Sequence, residues 1–394
     1  MLDPEYLLHI SEGAEDIAEQ LHSDIIARVI ERMMIRLGNG EEYLLTSADK
    51  WRLQTLQDAG YLLEDIQAEI ASKTKLQMTE IKEAMEEAGV KAISYDDKIY
   101  QAAGLSPTPL EQSPSLLRIM QRNYDATVGE WNNFTRTMAS ATQQNFITAL
   151  DRAYTLVSSG TVSYTEAVRE TVNELIKNGA DVIYANGRKD SIETATLRAV
   201  RTGISQMSGQ IQVARMDELD VDLVLVSSHL GARPEHQIWQ GKVYSKSSRN
   251  AKYPDFVLST GYGSVTGLCG ANCRHNFSPY FEGMENPFDD YDSEANKKAY
   301  EEQQRQRELE RRIRNTKREV IGLKTALEDA KTDKSRLGFQ VDYERKARLL
   351  KRQNEEYKAY CEEHNLKQLR DRISIARWDR KQASKAREAA RKKK

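Results

Sequence analysis

At 394 residues the chain is long enough for two or three domains and for a sizeable buried core. Its 58 basic and 60 acidic side chains hide an asymmetry: residues 291–394 carry 31 against 19, a net of +12, and the other 290 carry 27 against 41, a net of −14. Three cysteines, with Cys361 isolated in the charged end, make no disulfide framework and point to a reducing compartment. No apolar run reaches the ~18 residues that span a bilayer, and the acidic start MLDPEYLLHISEGAEDIAEQ lacks the basic, apolar and small-residue regions of a signal peptide. The expectation is a soluble protein without a membrane anchor. Its basic end suits an anionic partner such as nucleic acid, and its acidic part suits protein or bulk water.

Leu21, Ile25, Val29, Met33 and Leu37 recur every four residues, with Ile26, Ile30 and Met34 beside them, and Gly38-Asn39-Gly40 follows as a helix stop. Shorter helices are predicted from Ser47 to Ala59, ended by Gly60, and on to Gly89. The segment 61–89 has the outline of a DNA-binding helix-turn-helix, but it is acidic where a recognition helix needs basic residues, so packed short helices are preferred. Pro107, Pro109 and Pro114 mark an elbow, because proline removes helix hydrogen bonds and restricts its predecessor. Beyond it Phe146, Leu150 and Tyr154 share a helical face, and Ser163-Tyr164-Thr165-Glu166 reads as a capping box ahead of Val168, Val172 and Leu175. A further helix is predicted after the cap Asp190, running to about Leu219.

The texture then changes. The run 221-VDLVLVSS-228 reads as a short buried strand, and glycines at 231, 241, 261, 263, 267, 270 and 283 mark a compact region of tight turns. After Ser293 the chain is helical and highly charged. Leu309, Ile313, Val320, Leu323 and Leu327 follow heptad spacing, Gly338 interrupts it, and a second helical part holds Leu349, Tyr357, Leu366, Leu369 and Ile373. A helical hairpin fits as well as a coiled coil. The last dozen residues, ending in SKAREAARKKK, are expected to be disordered in isolation.

Of six histidines and three cysteines in the chain, His229, His236, Cys269, Cys273 and His275 fall within 47 residues. Three readings stand. The first is a zinc site, which takes Cys and His ligands in a tetrahedron; Cys269-x-x-x-Cys273-x-His275 departs from the usual two-residue knuckle. The second is a set of small buried thiols and backbone-bonded imidazoles that hold a glycine-rich fold together. The third is catalytic: a Cys269 or Cys273 thiolate paired with a histidine, or His229 or His236 as general base in a metal-dependent nuclease or hydrolase. Arg233, Lys242 and Trp239 have the chemistry to hold a phosphate or carboxylate or to stack, although such residues more often pair and pack.

The succession 184-YANGRKDSIETATLRAVRTGISQMSGQIQVARMDEL-219, VDLVLVSSHLGARPEHQIWQGKVYS and 261-GYGSVTGLCGANCRHNFSPYFEG-283 resembles the "minor capsid protein 2" family of tailed bacteriophages. Both 308-ELERRIRNTKREV-320 and 359-AYCEEHNLKQLRDRISIARWDRK-381 look like the charged helical segment that follows the glycine-rich part there. The motifs SSH, GARP, WQGK, GYG and CG-x-NCRH occur in order, so the resemblance covers roughly residues 180–380. More distantly the chain is similar to phage head-morphogenesis proteins, whose compact domain ends in a His-Pro-x-Cys-Arg-Cys-like run. Asn272-Cys273-Arg274-His275 stands in its place, and the earlier Cys-x-x-Cys of some relatives is missing. The resemblance implies a low-copy structural protein of the virion, made in the host cytoplasm and placed near the portal vertex inside the head. Its partners would be the portal and other capsid proteins, it would serve head assembly and DNA packaging or ejection, and no enzymatic activity is implied.

The resulting expectation is a mainly α fold with a small α+β domain. Residues 1–115 form a helical N-terminal region, 116–219 a helical lead into the core, 220–290 the Cys/His domain and 291–394 a charged helical arm. Zinc is the candidate cofactor, at His229, His236, Cys269, Cys273 and His275. Packaged DNA, bound without sequence specificity through Lys385, Arg387, Arg391, Lys392, Lys393 and Lys394, is the candidate second partner.

Overall fold

The structure, a computed structural model, describes residues 1–37 and 46–391. A single turn of helix, α1 (Tyr6–His9), precedes α2 (Glu12–Leu37). Leu21, Ile25, Val29, Met33 and Leu37 are all buried on α2, which is what their four-residue spacing requires. Each such side chain is worth about 1.5–3 kcal/mol in transfer from water. The stop at Gly38-Asn39-Gly40 lies outside the described residues.

The predicted short helices between Ser47 and Gly89 are in fact one 55-residue helix, α3 (Ala48–Ala102), so segment 61–89 is no helix-turn-helix. A lone glycine in a helix costs only about 1 kcal/mol relative to alanine. Buried Trp51, Ala59, Leu62 and Ile66 on both sides of Gly60 outweigh that. The proline elbow does form: residues 103–113 leave the helix, and Pro114 opens α4 (Pro114–Ser158), where the missing N–H costs nothing.

Ser163 Oγ accepts the Glu166 backbone N–H at 3.3 Å and caps α5 (Tyr164–Asn178), which buries Val168, Val172 and Leu175. The Glu166 carboxylate turns to Arg169 Nη2 at 2.6 Å, so only half of the capping box forms. A hairpin unforeseen in the sequence follows, β1 (Asp181–Ile183) against β2 (Lys189–Ser191), with Val182 opposite Asp190. Asp190 is therefore a strand residue, and α6 (Ile192–Glu218) begins just after it. The predicted strand is β3 (Leu223–Val226), buried at every position because it is the centre of an antiparallel sheet. After it come α7 (Pro234–Gln237), β4 (Val243–Ser245), α8 (Phe256–Thr260) and β5 (Phe277–Pro279). Strand order is β4-β3-β5, with Val224 opposite Tyr244 and Leu225 opposite Ser278.

Two long helices, α9 (Ser293–Asp329) and α10 (Asp333–Glu363), form a hairpin, one of the two arrangements that the heptad spacing allows. Its antiparallel register is fixed by Arg312–Glu356 at 3.1 Å, by Tyr357 donating to Glu310 at 3.2 Å, and by the pair Lys346–Glu319. The break falls at Ala330–Thr332, where Thr332 caps α10, and Gly338 lies inside the helix. Leu366, Leu369 and Ile373 lie beyond the helix end; of the last dozen residues, 383–391 belong to α11 (Arg380–Arg391) and 392–394 lie outside the described residues.

The described residues form two compact units. One comprises residues 1–15, 76–132 and 194–304. Its helical core sets Ile81, Met85, Ala88 and Ala92 of α3 against Leu116 and Val128 of α4 and Val200, Ile204, Met207 and Ile211 of α6. Gly89 permits this approach, since a Cβ there would meet Met120 Cε at 2.8 Å. A second core, around Trp239, Tyr244, Phe256, Phe277 and Val224, lies on the sheet. The other unit comprises residues 16–75, 133–193 and 305–394. It contains the stripe of α2, the stacked pair Trp51–Tyr154 at 5.1 Å and the α9–α10 hairpin, with Leu309, Ile313, Val320 and Leu323 buried.

Candidate metal centre

His236 is delivered by α7, a turn started by Pro234. Cys269, Cys273 and His275 come from the glycine-rich loop between α8 and β5. That loop folds back on itself so tightly that a Cβ at Gly267 would stand 2.0 Å from the Gly261 carbonyl oxygen. Cys269 and Asn272 take left-handed backbone at φ 59° and 57°, which turns the chain twice before β5. All four cluster residues named here are buried, and His229 is half-buried.

Three of the five predicted ligands converge. The Cys273 Sγ lies 3.8 Å from His236 Nδ1 and 3.7 Å from His275 Nδ1, and the two Nδ1 atoms are 3.4 Å apart. These three residues can hold a metal ion together, their ligand atoms all lying within 4.8 Å of one another. Cys269 instead points its Sγ at the His275 carbonyl at 3.9 Å, and His229 stacks its ring on His275 at a centroid distance of 4.4 Å. Among the described residues neither joins the three as a ligand.

Each converging imidazole is oriented from its far side. His236 Nε2 meets the Thr266 carbonyl oxygen at 2.9 Å, and His275 Nε2 meets Gln240 Oε1 at 2.9 Å. The same Gln240 oxygen accepts the His229 backbone N–H at 3.1 Å. Trp239 packs on both rings, at 4.6 Å from His236 and 4.8 Å from His275. Burial lowers the pKa of His236 and lowers that of His275 well below the usual imidazole range, and it raises the thiols of Cys269 and Cys273.

Other candidates serve the loops. Arg233 Nη2 donates to the Ala271 carbonyl at 2.6 Å and Lys242 Nζ to the Ile238 carbonyl at 2.7 Å. Sequence reasoning missed Gln240 as the acceptor behind the cluster, although it lies inside the WQGK motif. It also missed Asn296, a fully buried residue near the start of α9. Asn296 Oδ1 accepts from Gly231 N and Ala232 N, both at 2.9 Å, and its Nδ2 donates to the Ala232 carbonyl. No sequence signal separates Asn296 from its charged neighbours. In the other unit, Lys385, Arg387 and Arg391 are exposed on α11, while Ala386 and Ala389 are buried. Lys392, Lys393 and Lys394 lie outside the described residues.

No helix among the described residues is long and apolar enough to cross a membrane. No solved structure matches the chain. A structural protein of Lactococcus phage LL-H is 24 % identical over 282 residues, covering 68 % of this chain and 76 % of the relative. A structural protein of Lactococcus phage mv4 is 40 % identical over 73 residues, 18 % of this chain and 58 % of the relative. The family described as phage minor capsid protein 2 matches residues 2–382, nearly the whole chain, and the chain belongs to that family of virion structural proteins.

Proposed function

We propose that the protein sits at the portal vertex inside the phage head and works in head assembly and in DNA packaging or ejection, by shape and interface and without catalysis. The family match over residues 2–382 carries this reading. Segment 1–115 is assigned to contacts with portal or capsid subunits, 116–219 to a lead into the core, 220–290 to a rigid centre and 291–394 to an arm toward DNA.

Two features support it. Ile238, Leu258 and Val265 in the glycine-rich segment are 69 %, 87 % and 72 % exposed, and apolar side chains left in water are material for protein contacts. Lys385, Arg387 and Arg391 present unburied charge on α11, suited to phosphate. Burial of His236, Cys269, Cys273 and His275 favours a holding role over turnover at the alternative, a metal-dependent nuclease or hydrolase site. A density map of intact particles tests the placement: the chain is expected inside the head against the portal, and density on the outer shell or tail would overturn it.

A further inference from the structure

We propose that His236 Nδ1, Cys273 Sγ and His275 Nδ1 bind one zinc ion. The spacing is the first argument. Nitrogen ligands at about 2.0–2.1 Å and sulfur at about 2.3 Å on a tetrahedral zinc stand roughly 3.3–3.4 Å (N to N) and roughly 3.5–3.6 Å (N to S) from one another. The observed separations are 3.4 Å between the two nitrogens and 3.7 and 3.8 Å from them to sulfur. Three donors from two stretches of chain, α7 and the glycine-rich loop, thus stand at separations close to those of three corners of one tetrahedron.

Proton placement is the second argument and is independent of the first. A carbonyl oxygen only accepts, so the Thr266 contact at 2.9 Å puts the His236 proton on Nε2. Gln240 Oε1 is fixed as an acceptor by the His229 backbone N–H, so the His275 contact at 2.9 Å puts that proton on Nε2 as well. Both Nδ1 atoms therefore carry lone pairs, and these face each other across 3.4 Å in a buried site. One thiol proton serves one of them and leaves the other facing a lone pair. A divalent cation with a Cys273 thiolate satisfies all three donors together. Oriented Nε2–H groups behind ligating imidazoles are also how metal sites hold their histidines.

Zinc rather than a harder cation follows from the ligand types, since imidazole and thiolate select borderline and soft metals over magnesium or calcium. The ion would join α7 to the glycine-rich loop that leads into β5. The inference is independent of where the protein sits in the particle.

The test uses the full-length chain, purified without chelator or metal-affinity resin, with elemental analysis and cobalt(II) exchange. Expected is stoichiometric zinc in the wild type and in Cys269→Ser, loss of zinc in Cys273→Ser, and a thiolate charge-transfer band with tetrahedral visible bands in the cobalt protein. Absence of zinc with no uptake on addition overturns the proposal, as does stoichiometric copper or iron in its place. Zinc retained by a folded Cys273→Ser also overturns it. If that variant fails to fold, the wild-type cobalt spectrum decides alone, and a spectrum without the thiolate band sinks the site.

Discussion

Arg318 Nη2 stands 2.5 Å from Oε1 of the buried Glu193, and the same nitrogen also holds Glu19. The residues are remote in sequence, from α2, α6 and α9, and one guanidinium balances two carboxylates. Burial alone would raise the pKa of Glu193, but Arg318 overcomes this and holds it down to about 2. Glu19 goes the other way, up to about 7, through burial and then the Glu193 charge. Removing the cation leaves two buried carboxylates, a change that costs about 3–5 kcal/mol. Arg318→Met should lose that much in denaturant unfolding, and Glu19→Gln with Glu193→Gln in the same background should restore most of it. A loss under about 1 kcal/mol would mean that water screens the cluster.

His22, beside Glu193 at 3.7 Å, supplies a pH dependence. Burial, then the nearby Arg318 charge, pushes its pKa down to about 4 from an ordinary 6.5. The folded state keeps it neutral, while the unfolded chain takes up a proton below 6.5. Stability is therefore lost as pH falls from 6.5 toward 4, by at most about 3 kcal/mol. Glu19 opposes this: its raised pKa adds stability as pH falls from about 7 to 4.5. Glu193 adds a loss only below 4.5. The difference between wild type and His22→Gln isolates the histidine, so the Tm of the variant should fall less between pH 6.5 and 4. Parallel Tm curves would refute the assignment.

Gly60 lies inside α3, where a Cβ would meet nothing within 4 Å and φ is not positive. Gly60→Ala should raise stability by about 0.5–1 kcal/mol through helix propensity and a less flexible unfolded chain. Urea unfolding measures it, and destabilisation would show that the added methyl group collides with a neighbour. The same residue shows why the sequence misled. A glycine reads as a stop, but the stop depends on whether burial continues beyond it, and Leu62 and Ile66 do continue. The α2 stripe and β3 were legible because their periods are set by their own burial. The β1–β2 hairpin and the break at Ala330–Thr332 were not, because short elements depend on what packs against them. At the cluster, residue types were legible from rarity, yet which three of the five converge depends on left-handed Cys269 and Asn272, which no spacing rule reveals.

Gln240 Oε1 receives His275 Nε2 and the His229 backbone N–H. Gln240→Leu would leave both donors without that acceptor, at about 1–3 kcal/mol for each group left unsatisfied in the interior. It would also free the His275 ring to turn. Zinc release to a competing chelator should become about 10–100-fold easier, the range for losing a partner behind a metal ligand. Gln240→Glu, which keeps the acceptor, should retain most of the affinity. Equal retention in wild type and Gln240→Leu would show that ring packing by Trp239 and His229 is enough to hold His275.

Lys385, Arg387 and Arg391 lie on the exposed side of α11, whose Ala386 and Ala389 are buried. If they bind packaged DNA, each neutralised phosphate releases counterions, so the logarithm of affinity should fall linearly with the logarithm of salt, by about 0.9 per contact on duplex DNA. Replacing all three by glutamine in the full-length chain should flatten that slope by about 2–3 and weaken every DNA sequence alike. The exposed positions predict little change in fold, which circular dichroism checks. An unchanged slope would assign these residues to solubility and leave the arm's partner among the proteins of the head.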